Sequence, residues 1–220
     1  MNCVLYSGTK NASSWAMRAW LALREAGIEF EERVVDIRRP QRFKNLEKVA
    51  RFSPPGAVPV LVVDHQVIFD SLAIMEFANE CADGALLPRE MMLRARARSL
   101  MAWQHSGLSN ICPRISFESA FYPDKRELSE AEQTQVSFLF GVWENQLQQS
   151  QGSFLCGALS LADLNFVPSL IRILRHHDNV EMFPLVAAWS DRLLRRESVQ
   201  EWMREAERLP HVWYDDYLLL

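Results

Sequence analysis

No window of this chain approaches the roughly 18 apolar residues that a membrane-spanning helix needs. The opening MNCVLYSGTK holds no apolar run long enough for the core of a secretory signal. Both absences point to a soluble, cytoplasmic protein. Cysteine is scarce: Cys3, Cys81, Cys112 and Cys156 stand far apart, with no C-x-x-C pair. That spacing argues against a disulfide framework or a zinc site and predicts reduced thiols that serve as small buried hydrophobes. A concentrated basic stripe is also missing. The 24 Lys and Arg against 28 Asp and Glu are interleaved, with a formal net charge of -4, which excludes a phosphate-backbone binder. Internal repeats and low-complexity segments are absent too. Hydrophobic residues make up 49% and charged residues 24%, the balance of an ordinary globular chain.

What is present falls into two styles. Val4-Leu5-Tyr6 reads as a short buried strand closed by Ser7-Gly8-Thr9. A helix follows over about 13–26, with Ser13 or Ser14 as N-cap, Ala16, Ala19, Trp20 and Leu23 on one face, and Gly27 as terminator. Ile28 to Val35 reads as a second strand, and a βαβ unit of this kind sets its two strands parallel. A second helix is predicted over about 41–51, ending before the breaker cluster Ser53-Pro54-Pro55-Gly56. Residues 58–63 and 66–69 flank Asp64-His65 as an antiparallel hairpin. Ile74, Phe77, Ala78 and Cys81 then mark a third helix beginning near Asp70-Ser71. After Asp83-Gly84 and Pro88 the strand signals stop, and 89 to about 208 is helical throughout, punctuated by Pro113, Pro123, Gly152 and Pro184. The expected organisation is a βαβαββα unit over 1–82 and an all-helical unit over 89–220.

Three local motifs sit on this layout: Ser53-Pro54-Pro55-Gly56-Ala57-Val58-Pro59, Asp70-Ser71-Leu72-Ala73-Ile74, and Ser160-Leu161-Ala162-Asp163. Together, in this order and spacing, they resemble the cytosolic glutathione S-transferase superfamily over essentially the whole chain. The stretch Asn11-Ala12-Ser13-Ser14-Trp15-Ala16-Met17-Arg18 looks like the Ser-type members, the zeta class and its bacterial relatives especially. The resemblance implies a thioredoxin-like α/β domain followed by an all-α domain. It also implies glutathione as co-substrate with no metal, a small hydrophobic electrophile as second substrate, a homodimer, and a role in detoxification.

The same resemblance assigns roles. Val58-Pro59 would carry a cis peptide, a bond that costs only about 0.5–1 kcal/mol over trans before proline, and would aim the Val58 backbone at the cysteinyl backbone of glutathione. Ser71, at a helix start where free amides and the dipole favour an anion, would hold the γ-glutamyl carboxylate, and Asp70 the ammonium beside it. Lys44 would meet the glycyl carboxylate, with Arg42 and Lys48 as rivals. The thiol must become a thiolate to act, and a donor at a helix N-terminus stabilises that anion. Counting back from Arg18, the zeta-class activating Ser aligns with Asn11, so Ser13, Asn11 and Ser14 all stand as candidates. His105 and Arg114, on and beyond the first long helix of the second unit, are candidate contacts for the electrophile. Ser160 and Asp163 form a capping box with Leu159 and Leu164 as its apolar staple and need no catalytic role; Pro168 should kink the helix they open. The apolar tail from Val212 to Leu220 is expected to fold back over the pocket mouth or a core groove. A glutathione-dependent transferase or isomerase follows; the alternative is a non-catalytic binding or scaffold protein on the same fold. A glutaredoxin-like or omega-type oxidoreductase ranks last, because no cysteine lies at the start of the first helix.

Overall fold

The structure, a computed structural model, describes residues 1–108, 111, 114–177 and 179–213. The first unit holds β1 (Cys3–Gly8), α1 (Ser14–Glu25), β2 (Glu31–Val35), α2 (Arg42–Ala50), β3 (Val60–Val63), β4 (Gln66–Phe69) and α3 (Ser71–Cys81). The four strands form one sheet in the order β2-β1-β3-β4. β1 runs parallel to β2, with Leu5 opposite Glu32, and antiparallel to β3, with Leu5 opposite Leu61. β3 and β4 close as the expected hairpin, Asp64 taking φ 53° in its turn.

Two strand boundaries differ from the sequence reading, each for a local reason. β2 begins at Glu31 rather than Ile28 because Ile28 belongs to the end of α1. Gly27 (φ 68°) donates to Arg24 O and Ile28 donates to Leu23 O, both at 3.0 Å, the pair of bonds of a Schellman closure. β3 begins at Val60 because Pro59 has no N–H to give to the ladder, and the pairing with Tyr6 and Phe69 starts one residue later.

The helical unit contains α4 (Met91–Gly107), α5 (Glu130–Ser150), α6 (Leu161–His176), α7 (Pro184–Leu194) and α8 (Glu197–Ala206). α6 is its axis. The sequence pattern gives it one buried face, but burial runs all the way round the helix from Leu161 to Ile173, because it packs against α1, α4 and α7 at once. Pro168 lies inside it. None of the helices, among the described residues, is long and apolar enough to cross a membrane.

Of the cysteines, Cys3 and Cys156 are buried as expected, Cys81 is exposed at the end of α3, and Cys112 lies outside the described residues. All three described thiols are free. Burial pushes the Cys3 and Cys81 thiols up, and it takes Cys156, beside the Asp163 carboxylate, to about 11. None of the three is a thiolate nucleophile at neutral pH.

Candidate active site

Four segments converge near the end of β1. Gly8 terminates that strand because nothing larger fits: a Cβ there would stand 2.6 Å from Ser13 Cβ, 2.8 Å from Ser13 Oγ and 3.0 Å from Val58 Cγ2. The missing side chain is what lets the turn before α1 approach the segment before β3.

Val58-Pro59 is a cis peptide, and Val58 lies ahead of the β3 register, which begins at Val60. Across from it, Asp70 and Ser71 open α3. Asp70 adopts φ 75°, a backbone state that L-residues avoid and that costs on the order of 1–3 kcal/mol. A glycine would relieve the strain but would lose the carboxylate, whose Oδ1 accepts from Leu72 N–H at 2.8 Å. The first intrahelical bond runs from Ile74 to Asp70 O, so the Ser71 amide has no partner within the helix and sits at the positive end of its dipole.

These groups line a cavity of about 350 Å³, within the ordinary range for small-molecule sites. Val58, Pro59, Asp70 and Ser71 contribute to it, as the sequence reading expects, together with His105 from α4. Trp15, Pro55, Ala57 and Phe69 line it too and escaped that reading. Trp15 sits on the side of α1 away from the apolar stripe, and Phe69 reads simply as the last residue of a strand.

The remaining candidates fall elsewhere. Lys44 is an exposed side chain on α2 and does not reach the cavity. Arg114 is exposed, and its carbonyl accepts from Arg126 Nη2 at 2.7 Å; it too is outside the lining. The three candidates for thiol activation are all enclosed, Asn11 fully and Ser13 and Ser14 nearly so. Asn11 Nδ2 donates to Pro210 O at 2.9 Å, which engages one of its two amide hydrogens. Ser13 is the N-cap of α1, its Oγ accepting from Ala16 N–H at 3.3 Å. A serine hydroxyl that accepts still has its own hydrogen to give.

The chain's C-terminal stretch packs against this turn at Asn11 and Ala12. Val212 is 2% exposed and packs with Ala12 and Ile37, next to Val35, Leu46 and Val58. Trp213 lies against Tyr122 at 4.4 Å between ring centroids. The fold-back expected of this tail is thus seen for Val212 and Trp213, while 214–220 lie outside the described residues.

With this arrangement in view, the comparisons with known proteins are decisive. Residues 12–81 match the family model "Glutathione S-transferase, N-terminal domain", and residues 114–206 match "Glutathione S-transferase, C-terminal domain". The chain belongs to the glutathione S-transferase family. The probable maleylacetoacetate isomerase of Caenorhabditis elegans is 30% identical over 83% of this chain and 84% of that protein. The maleylacetoacetate isomerase of Mus musculus is 27% identical over 90% of each. Among solved structures, a glutathione transferase homolog from Burkholderia gl BGR1, described with bound glutathione, superposes with a TM-score of 0.71 at 26% identity, covering 96% of this chain and all of that one.

Proposed function

We propose that this protein is a glutathione-dependent transferase or isomerase whose peptide site is the cavity between Val58-Pro59 and Asp70-Ser71. One observation carries the reading: four residues selected from the sequence as ligands of glutathione line a single cavity, and the Ser13 side chain and Val58 both close on Gly8. The Val58 backbone pairs with the cysteinyl unit. The Ser71 amide and hydroxyl take the γ-glutamyl carboxylate, and Asp70 takes the ammonium. Ser13 donates to the sulfur and holds it as the thiolate.

That thiolate adds to an electrophilic carbon of a small hydrophobic partner, forming a C–S bond. If the partner is a conjugated alkene, the adduct can rotate about its former double bond and expel the thiolate again, leaving glutathione unchanged and the alkene isomerised. The relatives named as isomerases favour this second course. The reading extends to a cytoplasmic protein with a role in detoxification, built of units 1–82 and 89–220 and acting as a homodimer. Met91, Met92 and Leu93, consecutive and exposed at the start of α4, are apolar surface that such a pairing would bury.

The test is the ultraviolet absorbance of bound glutathione thiolate against pH, for the wild type and for Ser13→Ala, Asn11→Ala and Ser14→Ala. A hydrogen bond to a charged group is worth about 1.5–3 kcal/mol, and 1.36 kcal/mol is one pKa unit. Ser13→Ala is therefore expected to raise the thiol by about one to two units and to cut turnover at neutral pH. The other two variants should move it far less, since the Asn11 side chain is anchored on Pro210 O through one of its two amide hydrogens. An unchanged titration in all three would remove thiol activation from this turn and leave a binding protein.

A further inference from the structure

We propose that His105 is a positioning residue for the ligand's amine: it acts through Asp70, fixing the carboxylate that receives the ammonium, and so ties the helical unit to the peptide site. The inference rests on the glutathione reading above and assigns a residue beyond it.

Asp70 has one oxygen committed to the cap of α3, Oδ1 on Leu72 N–H. The other, Oδ2, lies 3.3 Å from His105 Nε2. A carboxylate has about four lone-pair positions, so Oδ2 can take an imidazole N–H and still present a lone pair to an ammonium in the cavity. Without His105 the Leu72 contact alone, among the described residues, would orient a carboxylate that is nearly half exposed.

The imidazole is itself held in place. Its ring stands edge-on to Trp15 at 5.1 Å between centroids. Trp15 in turn carries the Arg18 guanidinium over its face at 4.6 Å. Arg18 is wholly buried, and its Nε donates to Asn165 O of α6 at 2.9 Å. His105 Nδ1 is enclosed and has no hydrogen-bond partner among the described residues. Nε2 is therefore the ring nitrogen with a polar group in reach, and that group is Asp70. This geometry gives His105 a carboxylate to steer, where the sequence reading gave it an electrophile to touch. A line of contacts runs from the axial helix α6 through Arg18, Trp15 and His105 to Asp70.

The experiment compares glutathione with its analogue lacking the α-amino group, by calorimetry, on the wild type, His105→Leu and His105→Gln. Thermal melts confirm that each variant is folded. His105→Leu is expected to weaken glutathione about five- to tenfold and to leave the deamino analogue within about twofold. His105→Gln, which restores an N–H donor at similar reach, should recover most of the loss. In an Asp70→Asn background, adding His105→Leu should cost nothing further, because the two act as one unit. Equal losses for both ligands would overturn the proposal, making His105 a shape-filling residue, as would additive losses in the double variant. A wild type that binds neither ligand would sink the glutathione reading itself, an outcome distinct from either.

Discussion

Asp163 shows how much a single side chain can carry beyond its local role. It is fully buried, and burial pushes its pKa up against four donors. Oδ2 accepts from Ser160 N–H at 2.9 Å and Ser160 Oγ at 2.8 Å, while Oδ1 accepts from Leu155 N–H and Trp189 Nε1, both at 2.9 Å. The capping box was legible from the three-residue spacing of Ser160 and Asp163. The links to Leu155 and Trp189 were not, because a donor 8 or 26 residues away leaves no periodic mark. The same limit hid the pairing of Asp70 with His105. Two stability effects should differ accordingly. Ser160→Ala removes a cap and should cost about 0.5–2 kcal/mol. Asp163→Ala strands buried N–H groups at about 1–3 kcal/mol each and should cost about 3 kcal/mol or more. Denaturant melts measure both, and glutathione affinity should stay constant in Ser160→Ala; a large affinity loss at intact stability would make Ser160 a site residue.

At the scale of elements, what could be read from sequence was what local chemistry dictates. Ser13 caps α1, Gly27 ends it, and Asp70-Ser71 starts α3, each signalled by residue types within one turn. The cation predicted for the glycyl carboxylate had no such signal: Lys44 is one of several basic residues in a charged helix, and nothing in its spacing tells which face meets the ligand. The C-terminal strap was legible only as an apolar oddity. Its contacts span nearly the whole chain, from Asn11 to Pro210 and from Ala12 to Val212. Strap and turn form one small apolar cluster separate from the main core, so the strap should be able to detach without global unfolding. Val212→Asp places a charge in that cluster and should release it. Hydrogen exchange at the amides of residues 12–14 should then accelerate, while the thermal midpoint falls only modestly. Unchanged exchange at these amides would mean that the turn is closed by its own bonds to Thr9 O and owes nothing to the strap.

At the scale of the whole molecule, the two units share a core, which should make them unfold as one body. Leu5, Trp20, Leu61 and Ile74 of the first belong to the same cluster of buried side chains as Phe140, Trp143, Trp189 and Trp202 of the second. Polar ties reinforce the junction. Arg196 and Ser198 both bond the Glu25 carboxylate; burial alone would raise its pKa, but these donors hold it below the usual carboxylate value. A second enclosed tie, beside that of Arg18, is Lys10, 2% exposed just ahead of α1. Its Nζ lies 2.9 Å from both Glu32 and Glu205 and about 5 Å from the ring centres of Trp20 and Trp202. Lys10→Met keeps the length of the stem and removes the charge. Losing one partner of a fully buried pair costs about 3–5 kcal/mol, but Glu205 is half exposed and Glu32 partly so, and water recovers some of that. A loss of about 1–3 kcal/mol is therefore expected. Far-ultraviolet dichroism follows both units, whereas tryptophan fluorescence weights the junction. The two denaturation curves should coincide in the wild type and stay coincident in Lys10→Met, both displaced to lower denaturant, because the apolar core still spans the units. Adding Glu32→Gln to Lys10→Met removes the uncompensated charge, but Glu32 also accepts from Ser7 Oγ at 2.6 Å and Trp20 Nε1 at 3.3 Å, so it should restore only a small part of the loss. If the curves instead separate in Lys10→Met, the caged lysine rather than the shared core is what makes the molecule fold as one unit.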